Sequence, residues 1–560
     1  ECRRLVAEIL RMIPEVPASL VDLIVEKAEG SPFYVEELVN VLIEGGVIVR
    51  GDEHWHIELE KLRTVRVPAT LTGLLQARLD TLPAGDREIL QQASVVGRVF
   101  WSNVLERMRN PDQRQAVAEP GVDRSLEALR TKELIFHNEE SAFTGSSEYL
   151  FKNAVLHDVT YESVLLRLRR VYHIQVAEGL IQLGGERAGE SAGRIGEHYE
   201  KAEEWLRAAE WYVRAGKRAQ ETYAPEEAAI YFGKALGFFR KSPTPQTIGL
   251  QLEAHERLGE VFIWQARYGE AIGNYKSMLQ AATDQGDIIA QSHALLGIAY
   301  CLSLQGDHHE SMEHAVRAER LAARVGAKAE IAKALWLQGS ACYRLSDGQQ
   351  ALNRAEHALA INTELNDRNE MARCVNLLAA AYYSLGRYAE SKKYWENALE
   401  LFQGVGDRRK GMDVLNNLGV VADAGGDYSG AFERYNSALE LAREMGYRDG
   451  EIVFLTNRGS EQVALGNFAA AEGDLNLALE LAGTAGSWIL PLTHYYLAEA
   501  RLRLGKPEQA LQAARTALAL GRADGAPEYI GAAYRVLGMI SKQLGQPLSI
   551  DAAETAVPDT

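Results

Sequence analysis

The chain of 560 residues contains four cysteines, and none stands in a C-x-x-C pair. Cys301, Cys342 and Cys374 fall in apolar helical stretches, where a reduced thiol behaves as a small hydrophobe. With Cys2 they form neither a disulfide framework nor a zinc-ligand set, which suits a reducing cytoplasm. An excess of basic charge is missing too. Lys and Arg number 60 against 77 Asp and Glu, a net charge of −17, which argues against nucleic acid or an anionic membrane as partner. No apolar run approaches the roughly 20 residues of a membrane span, and no signal peptide precedes the first helix. There is no G-x-x-x-x-G-K-[ST] loop to hold a triphosphate on backbone N–H groups and a lysine. Gly216-Lys217 and Gly505-Lys506 lack both the leading glycine and the following Ser or Thr, and Leu20-Val21-Asp22 lies inside a helical pattern rather than at a strand end that could hold Mg²⁺. No nucleophile–base–orienter set is visible. The chain alone is therefore expected not to be an enzyme: it has no catalytic residue, no metal ligand set and no cofactor of its own. It opens with Glu1 in mid-helix pattern (ECRRLVAEILRMI), as expected for a fragment of a longer protein.

What fills the chain is a motif with a period of about 40 residues. VNLLAAAYYSLGRYAESKKYWENAL (375–399), LNNLGVVADAGGDYSGAFERYNSAL (415–439) and LTNRGSEQVALGNFAAAEGDLNLAL (455–479) are versions of one another. A small residue recurs at Gly259, Gly297, Gly339, Ala379, Gly419, Gly459, Ala498 and Gly538, and a turn glycine at Gly386, Gly426, Gly466, Gly505 and Gly545. Self-similarity of this length means stacked helical hairpins, each burying its apolar face against its neighbours. Such an array makes a surface rather than a pocket.

Five regions are expected: 1–65, 66–152, 153–245, 246–546 and a tail over 547–560. In the first, Pro14 and Pro17 break one helix and Ala18–Ala28 form the next. Ser31 suits an N-cap and Pro32 the first position of a third helix, which stops at Gly45-Gly46. Val47-Ile48-Val49 and Trp55-His56-Ile57 alternate like two strands around a Gly51-Asp52 turn. In the second, helical patterns at Leu71–Leu82, Asp86–Val96, Trp101–Met108 and Val122–Lys132 precede strand-like Leu134–His137 and Tyr149–Phe151, the order of a winged helix. The third is irregular and helical, and AAEWYVRAGKRAQETYAPEEAAIYFGKAL (208–236) carries repeat spacing, its helices meeting at Tyr223-Ala224-Pro225.

The repeats resemble tetratricopeptide repeats, with longer helices than the usual 34-residue unit. EGSPFYVEELVNVLIEGGVI (29–48), VPATLTGLLQARLDTLPAGDREILQQASVVGRVFW (67–101) and YLFKNAVLHDVTYESVL (149–165) together resemble the STAND ATPases, AAA-related signalling proteins. That resemblance implies a mostly all-α fold: a right-handed α-solenoid of tetratricopeptide-like hairpins, preceded by a small helical lid remnant and a winged-helix-like domain. It implies a sensor that relays binding of a protein, peptide or small inducer to an upstream NTPase domain in cis, with ATP or ADP and Mg in the full-length parent, and ligand-induced homo-oligomer formation. In such a parent Gly30, Ser31 and Pro32 would border the adenine pocket. Alternatives are the regulatory region of a nucleotide cyclase or kinase, or a DNA-binding transcription regulator.

On the first helix of each hairpin, positions i, i+3, i+7 and i+10 share one face. That face carries Lys333, Trp336, Ser340 and Tyr343, then Arg373, Asn376, Ala380 and Tyr383, then Asp413, Asn416, Val420 and Asp423. By the tetratricopeptide resemblance it is the concave ligand groove. Asn376 with Asn416, and Asn417 with Asn457, recur in register, and an Asn ladder can pair with the backbone of an extended peptide. The alternative is that these groups bond between repeats. The helix around Val122–Lys132 sets Arg124, Arg130 and Lys132 against Asp123, Glu127 and Glu133, too neutral a field for DNA phosphates. His308, His309 and His314 do not share a helix face as metal ligands would. His54 and His56 are expected to be structural, and Asp158 and Tyr161 to pack or cap.

Overall fold

A computed structural model describes residues 2–545 apart from 29, 52–53, 63–67, 69, 110–120, 142, 144, 242–244, 484–486 and 524. The expected Gly51-Asp52 turn and the tail over 547–560 thus lie outside the described residues. The chain divides into two compact units, Glu1–Ala266 and Arg267–Thr560.

The first unit begins with helices Cys2–Ile9, Ala18–Ala28 and Pro32–Glu44. Ser31 caps the third, its hydroxyl accepting from the Tyr34 N–H at 3.4 Å, and Gly45 closes it. Strands β1 (Ile48–Val49) and β2 (His56–Ile57) pair antiparallel. Val6, Leu20, Ile24, Leu38, Leu42 and Leu74 are buried in one small core. Helices Leu71–Asp80, Ala84–Val96, Ser102–Met108 and Val122–Thr131 follow, with strands β3 (Val99–Trp101), β4 (Ile135–Asn138) and β5 (Glu148–Phe151). The sheet order is β3-β5-β4, both pairs antiparallel. Strand β3 occupies residues whose last member the sequence pattern places at a helix start. Gly97, at φ 142, ends the preceding helix and turns the chain into the sheet, where Phe100 is buried between Tyr149 and Phe151. Helices Ala154–Ser163, Leu166–Gly184 and Ala192–Lys201 share a larger core with this sheet and with the hairpin Trp205–Glu221/Pro225–Lys241. That hairpin turns at Tyr223 and Ala224, and a Cβ on Gly216 would meet the Phe232 ring at 2.7 Å. The small residue is there because the two helices cross in contact.

The second unit is a stack of helical hairpins from Tyr268 to Leu544, each helix 14 to 18 residues long. The first helices are Ile288–Gln305, Lys328–Arg344, Arg368–Ser384, Arg408–Ala424, Arg448–Ala464, Leu490–Arg503 and Pro527–Leu544. Several of these touch the next first helix directly, as Lys328–Arg344 touches Arg368–Ser384, whereas successive second helices do not pair closely. The crossings need small residues: a Cβ on Gly419 would lie 2.4 Å from the Tyr435 ring. Ile288–Gln305 is long and apolar enough, by length and composition, to cross a membrane, a helix that counting continuous apolar runs passes over. Half of it is buried inside the stack, as a core helix is. Cys301, Cys342 and Cys374 are buried in first helices, where burial pushes the Cys301 and Cys374 thiols up to about 12.

Candidate functional site

The groove residues named from the sequence lie on consecutive first helices, Lys328–Arg344 through Arg448–Ala464. Lys333 and Asp423 are exposed and the others half-buried. Trp336 and Arg373 form one contact: the guanidinium lies 4.0 Å over the indole, whose Nε1 donates to the Arg373 carbonyl at 3.3 Å. Glu370 holds Arg373 from the opposite side at 2.9 Å. Tyr383 packs beside Tyr388 and Trp395, and burial raises its phenol pKa. The asparagines divide into two kinds. Asn376 Oδ1 accepts from Trp395 Nε1 at 2.9 Å, and Asn457 Nδ2 donates to Asn416 Oδ1 at 2.8 Å. Each therefore keeps one half of its amide engaged inside the stack. Asn417 makes no side-chain hydrogen bond among the described residues. The strip thus offers aromatic faces, one uncommitted lysine and several half-used amides, the materials for holding an extended chain.

Sequence reasoning missed an oxygen-rich cluster at the end of this strip. Asp423, Tyr435, Ser460, Glu461 and Tyr496 come within electrostatic range of one another from four helices, Arg408–Ala424, Tyr428–Glu444, Arg448–Ala464 and Leu490–Arg503. Burial first, and then the charge of Asp423, push the Glu461 carboxyl up to about 8. Partial desolvation by its neighbours also raises Asp423, which stays open to solvent. Tyr496 is pushed up to about 12 by burial and by Asp423, and Tyr435 is raised by burial, Glu461 and Asp423. The signal was in the sequence, as an acidic residue at a repeat position that otherwise carries Ala, Val or Ile.

In the first unit the three blocks quoted for the STAND resemblance meet at one buried ion network. Arg78, 3% exposed, pairs with Glu37, 1% exposed, and with Glu44 at 2.8 Å, and donates to the Lys132 carbonyl at 2.9 Å. Lys152 reaches Glu37 at 3.2 Å. Gly30, Ser31 and Pro32 sit at the start of the helix that carries Glu37 and Glu44, with Gly30 at φ 89. Elsewhere in the first unit, a cavity of about 510 Å³ is lined by Arg98, His157, Tyr161, His173, Arg194 and His198, among others. The two buried imidazoles face each other at 2.9 Å through Nδ1, and Tyr161 Oη lies 3.0 Å from His173 Nε2. Burial holds His173 down at about 4, and burial followed by the His173 charge lowers His198. Asp158 contacts the His157 Nδ1 at 2.8 Å rather than capping its helix, a role taken by Asn153. Arg130 is held by Glu127.

Compared with known proteins, residues 370–444 match the tetratricopeptide repeat. No curated protein matches the chain. Among solved structures it is similar to a STAND protein with a tetratricopeptide repeat sensor from Pyrococcus horikoshii, at 14% identity over 87% of this chain and 72% of that one, with a TM-score of 0.39. It is also similar to a Rap protein complexed with competence and sporulation factor, at 14% identity over 60% and 98%, TM-score 0.41. The apo form of the quorum sensor NprR from B. thuringiensis aligns at 13% identity over 61% and 95%, TM-score 0.42. Likenesses at this level bear on neither ligand nor activity. The described fold is a mostly helical stack of tetratricopeptide-type hairpins.

Proposed function

We propose that this chain is the regulatory and sensor part of a STAND-type signalling ATPase. Its repeat stack binds a protein, peptide or small inducer along the first-helix face, and the first 152 residues relay that event to an NTPase core outside this chain. Within those residues, 1–65 act as a lid remnant and 66–152 as a winged-helix-like domain. Nucleotide contact by Gly30, Ser31 and Pro32 belongs to the assembled parent. The observation that carries the reading is the first-helix strip itself, where Trp336–Arg373, Tyr383 and the half-engaged Asn376, Asn416 and Asn457 follow one another from one first helix to the next. Coupling requires a ligand whose affinity differs between two states of the parent.

The variants that test it follow from the hydrogen bonds. Lys333 and Asn417 make no side-chain hydrogen bond or ion pair among the described residues, so Lys333→Ala with Asn417→Ala should weaken binding to an array of random hexapeptides about tenfold. The melting temperature should stay within a degree or two. Asn416→Ala instead strands the Asn457 amide and should lower both binding and stability. Unchanged binding in the double variant places the ligand elsewhere.

A further inference from the structure

In six of the seven first helices of this unit the residue two positions beyond the small crossing residue is buried and apolar: Ala299, Ala341, Ala381, Val421, Ala500 and Ile540. In Arg448–Ala464 that position is Glu461, only 2% exposed. Its Oε1 accepts from the Ser460 hydroxyl at 3.4 Å, and its Oε2 has no partner. An unpaired buried carboxyl is costly, and the other repeats show that an alanine or valine fits the same place. Asp423, on the preceding first helix and open to solvent, stands where two earlier repeats carry Tyr343 and Tyr383. Neither carboxylate has a Lys, Arg or His partner among the described residues. Other acids of the same stack do: Asp474 is held by Arg458 at 2.7 Å, and Glu472 by Arg501 at 3.1 Å and Lys506 at 2.6 Å. Tyr435, 3% exposed, and the half-buried Tyr496 add phenol oxygens to the cluster. The cluster has acceptors to spare and lacks a cation.

We infer that Asp423 and Glu461 form the receptor for a primary ammonium group of the groove ligand, carried on a lysine side chain or on a free peptide N-terminus. The inference rests on the groove reading above and deepens it. An ammonium brings three donors and one positive charge in a compact group. One donor satisfies Glu461 Oε2, another Asp423, and the charge ionises Glu461, releasing its proton to solvent.

Isothermal titration calorimetry at pH 7 on the full chain tests it with three pentapeptides. The first is acetyl-Gly-Ser-Lys-Ser-Gly-amide, the second its Nε-acetyl-lysine counterpart, and the third Gly-Ser-Ser-Ser-Gly-amide with a free amine. One or both ammonium peptides should bind at least about tenfold more tightly than the neutral one, and which of them does so identifies the source of the group. Binding should release about one proton, read from buffers of different ionisation enthalpy. Glu461→Gln should abolish both the preference and the proton release, whereas exposed Glu433→Gln should keep them. A preference that survives Glu461→Gln is mere attraction to an acidic protein and overturns the assignment. Equal binding of all three overturns it while leaving the groove reading intact, and no binding by any of them overturns both.

Discussion

A single carboxyl in a helical stack can set the protein's pH dependence. Glu461 titrates near 8 when folded against an ordinary 4.5. Between those values the folded protein holds a proton that the unfolded chain has lost. Stability therefore falls as pH rises through the window, by about 1.4 kcal/mol per unit, and levels off above about pH 8. The groups facing it are Asp423, Tyr435, Ser460, Tyr496 and, one turn further, Glu499. The phenols stay protonated throughout, so the slope belongs to the acids. Glu461→Gln should flatten the melting-temperature profile between pH 6 and 8.5 and raise its alkaline end. Parallel profiles for the two proteins would mean that Glu461 is not a charged burden on the fold. The residue was legible in the sequence, because aligning GSEQVALG with its sister repeats exposes a lone acid among Ala, Val and Ile. Reading each helix face separately hid it. The Asn376–Trp395 and Asn416–Asn457 bonds were not legible, since sequence spacing places a side chain on a face without saying which of its hydrogen bonds the neighbouring helix takes.

At the scale of the element, turn chemistry sets the boundaries. The turn glycines named from the sequence adopt left-handed backbone, as Gly386 does at φ 72 and Gly466 at φ 81. The corresponding turn after Lys328–Arg344 carries Ser346 at φ 64 instead. A left-handed conformation costs a residue with a Cβ about 1 kcal/mol. Ser346→Gly should therefore stabilise the stack by roughly that amount and Gly386→Ala destabilise it similarly, as read by urea denaturation. A loss of stability in Ser346→Gly would show that its side chain contributes more than its backbone costs. Helix positions were legible because a 40-residue repeat states the same boundaries several times over. Strand β3 was not. Three residues are too few for a period to show, and Val99–Trp101 is fixed as a strand by pairing with Glu148–Leu150, residues far away in the chain.

At the scale of the whole molecule, a repeated apolar pattern implies a stack of hairpins, each burying its apolar face against its neighbours. The long-range ties of the first unit escaped the sequence for a different reason. Glu37, Arg78 and Lys152 each sit in a recognisable block, but their pairing spans 41 and 115 residues, and no local pattern encodes it. The proposed ligand lies along the first-helix layer of the repeats. Hydrogen–deuterium exchange on the full chain, with and without a hexapeptide selected from the array, tests it most directly. Slowed exchange is expected in Lys328–Arg344, Arg368–Ser384, Arg408–Ala424 and Arg448–Ala464, with the second helices between them little changed. Protection centred on Gly348–Leu365, Tyr388–Gly404 and Tyr428–Glu444, or confined to the first unit, would contradict it.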